Sequence, residues 1–261
     1  MNRLRKKLDY LLSIKEKALV AYLVAGDPDL DSTLDLMHLF VESGVDIIEV
    51  GVPFTDPIAE GPVIQKAHDR ALKNNISLPK IIKLVEDFRK NDNSTPIILM
   101  GYLNTFSYHK NLIDNSDQHG VDAVLVVDIP GELSIASYGI SNPNIDSISL
   151  ISPTTSEERI EKIAKNGSGF IYYVTLRGVT GSSNLDVKEI NTNIQKIRSY
   201  SDIPTLAGFG IKSNEDAKLL SEYSDGIIVG SSIVDMIDKQ SDSKDFDRIG
   251  KYLRELKNAI L

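Results

Sequence analysis

The chain has 261 residues, contains no cysteine and carries a formal net charge of −8. The missing thiols exclude zinc–thiolate sites, iron–sulfur clusters and a cysteine nucleophile, and a hydrophobic share of 41% is enough for a core without disulfides. The acidic balance argues against a nucleic-acid-binding protein but not against an anionic substrate, because helix N-termini bind phosphate through backbone amides.

The first predicted element is an amphipathic helix within Met1–Ile14, where Leu4, Leu8, Leu11 and Leu12 recur at helical spacing. This segment lacks the continuous apolar run of a signal peptide, and no stretch of the chain approaches the length of a membrane span. We therefore expect a cytoplasmic protein.

Eight short apolar runs follow, and their lack of clean alternation is typical of parallel strands that are buried on both faces. They are Ala18–Val24, Asp46–Val50, Ile97–Met100, Ala123–Val127, Ile145–Leu150, Phe170–Thr175, Thr205–Ala207 and Gly226–Val229. Amphipathic helical stretches separate them, and a closing helix is predicted over roughly Phe246–Ala259. The alternation predicts an α/β protein, a single (β/α)₈ TIM barrel over residues 1–261 with an extra N-terminal helix. A doubly wound open sheet is the alternative, and the tally of eight strands disfavours it.

Glycine-bearing segments follow the sixth, seventh and eighth predicted strands, at Gly178–Gly181, Gly208–Gly210 and Gly230–Ser232. Glycine lets the backbone approach a phosphate closely, and a helix N-terminus supplies N–H donors. Each segment alone is better explained as a turn or a helix cap. Because three successive strand ends share the pattern, and because such barrels often bind phosphate after strands seven and eight, we predict a phosphate site here.

A carboxylate, Glu49, lies inside the apolar run of the second predicted strand. A buried carboxylate is costly, so it has either a structural hydrogen-bond partner or a chemical role. Burial is expected to raise its pKa and suit it to proton transfer near neutral pH. The loop that follows, Pro53–Pro62, holds Asp56, Glu60 and three prolines, which indicates a positioned active-site loop. Asp56 alone is equally well explained as a turn residue, and Glu60 alone resembles a surface residue.

Several aromatic residues stand in or near the strand ends, where they would form a pocket for a flat apolar ligand or simply pack in the core. They are Tyr22, Tyr102, Tyr172, Tyr173 and Phe209. The four histidines have no spacing that predicts a metal site, and we expect His38 and His68 to face outward or to cap their helices. The sequence therefore predicts no metal site.

Seven segments, in order along the chain, resemble the motifs of tryptophan synthase alpha subunits. They are Ala25–Pro28, Ile48–Pro57, Gly61–Gln65, Pro153–Thr155, Gly178–Gly181, Gly208–Ile211 and Val229–Ser231. The resemblance spans nearly the whole chain and implies a (β/α)₈ barrel. The reaction that it implies is the retro-aldol cleavage of indole-3-glycerol phosphate to indole and glyceraldehyde 3-phosphate.

The resemblance also implies catalytic roles for three residues. Glu49 matches the catalytic glutamate that moves protons between the glycerol hydroxyl and indole C3, and Tyr172 matches a tyrosine near the substrate. Glu60 falls where the family has an aspartate that hydrogen-bonds the indole N–H. The glutamate adds one methylene and moves the carboxylate by roughly 1 Å, which can cost about a hundredfold in rate if nothing compensates.

Further site residues are implied by the same resemblance. They are the pocket aromatics Tyr22 and Phe209, the phosphate-binding positions Gly181, Gly210, Gly230 and Ser231, Thr180 in a loop that closes over substrate, and Asp56 in communication with the partner. The family pairs this subunit with a pyridoxal-phosphate-dependent beta subunit in an αββα complex. We therefore expect no cofactor in this chain and pyridoxal phosphate in the partner.

Three alternatives remain open from the sequence. One is a catalytically weak subunit that mainly binds and activates the beta subunit, which the glutamate at position 60 suggests. Another is a stand-alone lyase that releases free indole. A third is a different phosphate-binding barrel, such as an isomerase or indoleglycerol-phosphate synthase, which would place a lysine or other carboxylates at its strand ends.

Overall fold

Parallel β-strands alternate with α-helices in the computed structural model, which describes residues 2–175, 187–208, 210–211 and 213–261. The strands are β1 (Ala18–Val24), β2 (Ile47–Gly51), β3 (Ile97–Gly101), β4 (Ala123–Val126), β5 (Asp146–Ser147), β6 (Ser149–Ile151), β7 (Ile171–Val174), β8 (Thr205–Gly208) and β9 (Gly226–Val229). The helices are α1 (Arg3–Ser13), α2 (Leu30–Glu42), α3 (Pro62–Lys73), α4 (Leu78–Arg89), α5 (Leu103–Tyr108), α6 (Lys110–Asp114), α7 (Glu157–Asn166), α8 (Val187–Tyr200), α9 (Asn214–Ser221), α10 (Ser231–Gln240) and α11 (Asp247–Ile260). Short 3₁₀ helices lie at Ser116–His119 and Ile135–Tyr138.

The strand order is β5-β4-β3-β2-β1-β9-β8-β7-β6, and all pairings are parallel. The two ends of this order, β5 and β6, are separated by Ile148 alone. They are two halves of the fifth predicted strand, one paired with β4 and the other with β7. The sheet therefore closes on itself. The predicted (β/α)₈ barrel is confirmed, and the alternative of a doubly wound open sheet is wrong. That residues 1–261 form a single domain stays a prediction.

Helix α1 covers the amino-terminal end of the barrel. Asn2 caps the start of this helix, because its side-chain oxygen accepts a hydrogen bond from the backbone N–H of Arg5. The buried leucines of α1 pack in one cluster with residues from inside the barrel, including Val20 and Ile98. Arg5 also forms a salt bridge with Asp146 of β5, with a nitrogen–oxygen distance of 2.6 Å. Because this end is closed, the carboxyl ends of the strands are left to form a cavity.

A buried ion pair fixes the connection after β1. Both carboxylate oxygens of Asp27 accept hydrogen bonds from the guanidinium of Arg70 on α3, each at 2.7 Å. Asp27 is buried, so removing Arg70 would leave its charge unpaired inside the protein. Asp27 therefore braces the loop between β1 and α2 against α3, which is a structural role.

Candidate active site

A cavity of about 290 Å³ opens at the carboxyl ends of the barrel strands. Its predicted ligand-binding and catalytic residues are Tyr22, Glu49, Glu60, Tyr172, Gly210, Gly230 and Ser231. The rest of its wall is mostly apolar and includes Ile64, Met100, Leu125, Val127, Leu150 and Ile228. An apolar cavity with a few convergent polar groups is the common form of a small-molecule site. Every predicted catalytic or ligand-binding residue that the structure describes thus lines one space, although their roles stay predictions.

Glu49 projects into the cavity from β2 and is 1% exposed. Among the described residues, no donor lies within hydrogen-bonding distance of its Oε1 atom. Burial and, to a smaller extent, the nearby charge of Glu60 together raise the pKa of Glu49 to about 8. The carboxyl group therefore holds a proton at neutral pH and has a pKa suited to both donating and accepting one.

Glu60 reaches the cavity from the loop between β2 and α3. The prediction that this residue alone resembles a surface residue is wrong, because the loop turns inward and buries its side chain. The Tyr102 hydroxyl donates a hydrogen bond to Oε2 of Glu60 and accepts one from the N–H of Ala59 at 3.0 Å. Burial raises the pKa of Glu60, and the hydrogen bond from Tyr102 opposes that rise. Tyr102 therefore holds the longer carboxylate in place and favours its charged form.

His68 supports this arrangement, and the sequence prediction for it is wrong. The side chain of His68 is buried instead of facing outward or capping, and its Nδ1 accepts the N–H of Phe54 at 3.0 Å. Burial lowers the pKa of His68 to about 4, so the ring is neutral and can accept at neutral pH. The Phe54 ring in turn stacks on Tyr102, with ring centroids 4.6 Å apart. Ala67 and Ala71 share the buried face of α3, and this small apolar stripe is the signal that places His68 inside.

The two cavity tyrosines each lie over a glycine of a neighbouring strand. A Cβ atom at Gly51 of β2 would lie 2.3 Å from the Tyr22 hydroxyl, and one at Gly208 of β8 would lie 2.7 Å from the Tyr172 hydroxyl. The missing side chains at these glycines therefore make room for both phenols. Burial raises the pKa of each tyrosine, so both hydroxyls stay protonated and can act as hydrogen-bond donors.

The other end of the cavity is formed by Gly210, Ile211 and the start of α10 at Ser231. The hydroxyl of Ser232 donates to the carbonyl of Ile211 at 2.8 Å, so the segment after β8 is fixed to the first turn of α10. The first turn of a helix presents unpaired N–H groups and a favourable dipole to an anion. The predicted phosphate-binding glycines Gly210 and Gly230 lie at this end, whereas Thr180, Gly181 and Phe209 lie outside the described residues.

Asp56 is exposed on the loop after β2 and does not line the cavity. Its carboxylate accepts a hydrogen bond from Thr55 at 2.7 Å, and its carbonyl accepts the N–H of Ile58 at 2.8 Å. Both explanations from the sequence therefore fit, since the residue fixes a turn and is also free to contact a partner.

Within the residues that the structure describes, no group of three or more His, Asp and Glu side chains is arranged to hold a metal ion. No helix in this part of the chain is long and apolar enough to cross a membrane. The cofactor assignment and the cytoplasmic location stay predictions.

Comparison with known proteins gives one consistent result. A family model described as tryptophan synthase alpha chain matches residues 8–260. The tryptophan synthase alpha chain of Nitrosomonas europaea is 42% identical, covering 100% of this chain and 96% of its own length. That of Neisseria gonorrhoeae is 45% identical, covering 94% of each chain. A crystal structure of tryptophan synthase subunit alpha from Legionella pneumophila superposes with a TM-score of 0.90 at 37% identity, covering 100% of this chain and 98% of that one.

Proposed function

The chain belongs to the tryptophan synthase alpha chain family, and on this premise we propose that it cleaves indole-3-glycerol phosphate to indole and glyceraldehyde 3-phosphate. Family membership supports the role of a lyase in tryptophan synthesis, and it does not favour the isomerase-type barrels. The observation that carries the specific reaction is the pair of buried carboxylates, Glu49 and Glu60, in one apolar cavity.

The cleavage needs a group that first gives and then takes a proton. Glu49 donates its proton to indole C3, which places positive charge on the ring nitrogen. The resulting carboxylate then removes the proton from the hydroxyl on the carbon bonded to C3. The bond between that carbon and C3 breaks, its electron pair returns to the ring, and the oxygen becomes the aldehyde carbonyl. Glu49 ends protonated, as it began, which suits a carboxyl group with a pKa of about 8.

Glu60 supplies the negative charge that the protonated ring requires. Its carboxylate accepts the ring N–H and stabilises the positive charge in a cavity with a mostly apolar wall. The hydrogen bond from Tyr102 fixes the position of Glu60 and favours its charged form against the burial that raises its pKa. This contact supports the assignment of the family's aspartate role to a glutamate. Glu49 and Glu60 together supply the acid, the base and the counter-charge, so the proposal assigns no cofactor to this chain and places pyridoxal phosphate in the beta subunit.

The remaining substrate contacts follow from the shape of the cavity. The indole ring is proposed to lie against the apolar wall, with Tyr172 beside it. The phosphate is proposed to bind at Gly210, Gly230 and Ser231, where the first turn of α10 offers backbone N–H donors. Such a placement puts the scissile bond between the two ends of the cavity, beside Glu49.

Indole release from indole-3-glycerol phosphate, with and without the beta subunit, tests the proposal. We expect turnover by the natural chain, a loss of about 100-fold in Glu60→Gln, and a loss of about tenfold in Glu60→Asp, whose shorter side chain withdraws from Tyr102. Absence of turnover even with the partner would leave the chain as a binding and activating subunit. High turnover that the partner does not stimulate would favour the stand-alone lyase.

A beta subunit is proposed to dock beside the mouth of the cavity. Large apolar side chains are exposed on the segments after β2, β3 and β4, namely Ile58, Tyr108 and Leu133. These segments follow neighbouring strands, so they lie at the same end of the barrel as the active site. Their exposure at the end of the barrel that holds the cavity is the observation that supports an interface there. Asp56, two residues before Ile58, is placed at the same surface.

Replacing Ile58 by aspartate is expected to weaken binding of the beta subunit by about tenfold or more, because a charge would be buried in the interface. Ile58 is 83% exposed, so the free subunit should fold normally and keep its unstimulated turnover. Ile14→Asp is the matched control, since Ile14 is 42% exposed at the end of α1 on the opposite side of the barrel. Titration calorimetry checks the result, and equal affinities for the two variants would place the interface elsewhere.

A further inference from the structure

The Tyr22 hydroxyl is a buried donor that the mechanism above does not use. Tyr22 is 3% exposed and lines the cavity. No polar group of the described residues lies within hydrogen-bonding distance of its hydroxyl oxygen. A buried tyrosine hydroxyl normally has a partner, and leaving it without one is costly. The lack of a partner among the described residues, together with the position of the hydroxyl in the cavity wall, indicates that it is kept for the ligand.

The register of the barrel places this hydroxyl beside the catalytic carboxyl group. Tyr22 of β1 pairs directly with Glu49 of β2, so the two side chains start side by side on the inner face of the barrel. Gly51 lies two residues beyond Glu49 and faces the same way. Because the Tyr22 hydroxyl lies over Gly51, it stands at the carboxyl end of β2, in the cavity that Glu49 also lines. Tyr22, Glu49 and Glu60 all line this cavity, and the ionised forms of both carboxyl groups raise the pKa of the Tyr22 hydroxyl.

The other edge of the Tyr22 ring faces the proposed phosphate end. A Cβ atom at Gly230 would lie 3.3 Å from Cδ1 of Tyr22, so the ring packs against the residue that precedes α10. The phenol therefore runs from the phosphate end of the cavity to its carboxylate end. A substrate with its phosphate at Gly230 and its ring at Glu60 would extend its three-carbon side chain along this phenol.

We propose that the Tyr22 hydroxyl donates a hydrogen bond to the substrate oxygen that becomes the aldehyde carbonyl. The proposal rests on the proposed function. As Glu49 removes the proton from that oxygen, negative charge develops on it until the carbon–carbon bond breaks. A fixed neutral donor stabilises this charge in a cavity with a mostly apolar wall. Tyr22 keeps its own proton throughout, and the oxygen leaves as part of glyceraldehyde 3-phosphate.

The test compares Tyr22→Phe with the natural chain in the presence of the beta subunit. We expect kcat for indole-3-glycerol phosphate to fall by about 10- to 100-fold. The affinity for indole-3-propanol phosphate, which lacks both side-chain hydroxyls, should change by less than about twofold, because the lost hydrogen bond is not made to this analogue. Tyr173→Phe is the matched control, since Tyr173 is a buried phenol on the outer face of β7 that bonds Asn193 and does not line the cavity.

Each other result contradicts the proposal in a distinct way. Unchanged kcat in Tyr22→Phe would show that the hydroxyl makes no contact during the reaction. A parallel loss of affinity for the analogue would mean that the hydroxyl only shapes the cavity. A shifted pH profile of kcat would mean that Tyr22 acts through Glu49 or Glu60 instead of through the substrate. Absence of turnover in the natural chain would contradict the proposed function itself, and the role of Tyr22 would be withdrawn with it.

Discussion

Replacing Glu49 by glutamine is expected to reduce indole release by at least about 1,000-fold, the largest effect that we expect from a single substitution. The amide keeps the size and polarity of the side chain but can neither give a proton to indole C3 nor take one from the substrate hydroxyl. Because no donor among the described residues pairs with Oε1, the change breaks no hydrogen bond there and should leave the cavity intact. Stopped-flow or endpoint measurement of indole, with and without the beta subunit, gives the ratio of turnover in the natural chain to turnover in Glu49→Gln.

Two controls separate lost chemistry from lost structure. Glu42→Gln makes the same substitution at an exposed position on α2 and should leave turnover unchanged. Binding of indole-3-propanol phosphate to Glu49→Gln should stay close to that of the natural chain. If Glu49→Gln retained more than about a tenth of the turnover, another group would have to carry the protons and the mechanism would be wrong.

The pH profile of kcat should have two limbs. Glu49 must begin protonated, so activity should fall as pH rises through about 8. Glu60 must be charged, so activity should also fall at acidic pH, where its carboxylate takes up a proton. The two groups lie in one cavity, but among the described residues only Glu60 has a hydrogen-bond donor that stabilises its charged form. This difference in surroundings assigns the acid to one carboxyl group and the counter-charge to the other.

The barrel and its central carboxylate are predictable because both depend on local pattern. Continuous apolar runs predict buried parallel strands, and the observed bounds agree with the predicted ones to within a residue or two at most ends. Only the fifth predicted strand differs, because it is divided at Ile148 into β5, which pairs with β4, and β6, which pairs with β7. No pattern in the sequence predicts this division. Glu49 stands out for the same reason, as a charged residue inside an apolar run.

The support around Glu60 was not predictable, because it joins residues that are distant in sequence. Glu60 lies 42 positions from Tyr102, and Phe54 lies 14 positions from His68. Nothing in the sequence around Glu60 shows that the loop turns inward, because Ala59 and Gly61 on either side of it are not part of a periodic apolar pattern. The burial of Glu60 follows from the contacts of the folded loop, and only the family resemblance pointed to it beforehand.

Glu49 is also expected to lower the free energy of unfolding of the protein at alkaline pH. The pKa of its carboxyl group is 4.5 in a solvated reference and about 8 in the folded protein, because burial penalises the charged form. Between these two pH values the folded state holds a proton that the unfolded state has released. Raising the pH through this window therefore favours the unfolded state. At about 1.4 kcal/mol per pH unit, the loss amounts to about 5 kcal/mol once the pH exceeds the folded pKa.

The glutamine variant does not titrate at this position and escapes that loss. Its free energy of unfolding, relative to the natural chain, should therefore increase from about pH 4.5 to about pH 8 and stay level above and below. The buried His68 has the opposite dependence: its pKa falls from 6.5 to about 4 on folding, so it removes stability as pH falls through that range. That contribution is present in both proteins and cancels in their difference. The comparison thus isolates the one carboxyl group.

Urea denaturation of Glu49→Gln, Glu42→Gln and the natural chain at about pH 5 and about pH 9 measures this difference. We expect Glu42→Gln to follow the natural chain at both values and Glu49→Gln to gain several kcal/mol only at the higher one. A gain that is the same at both values would mean that the Glu49 carboxyl group has an ordinary pKa in the folded protein. It would then be charged at neutral pH and could not give the first proton to the ring. The stability cost and the catalytic role therefore have one origin, a carboxyl group held in a cavity that disfavours its charge.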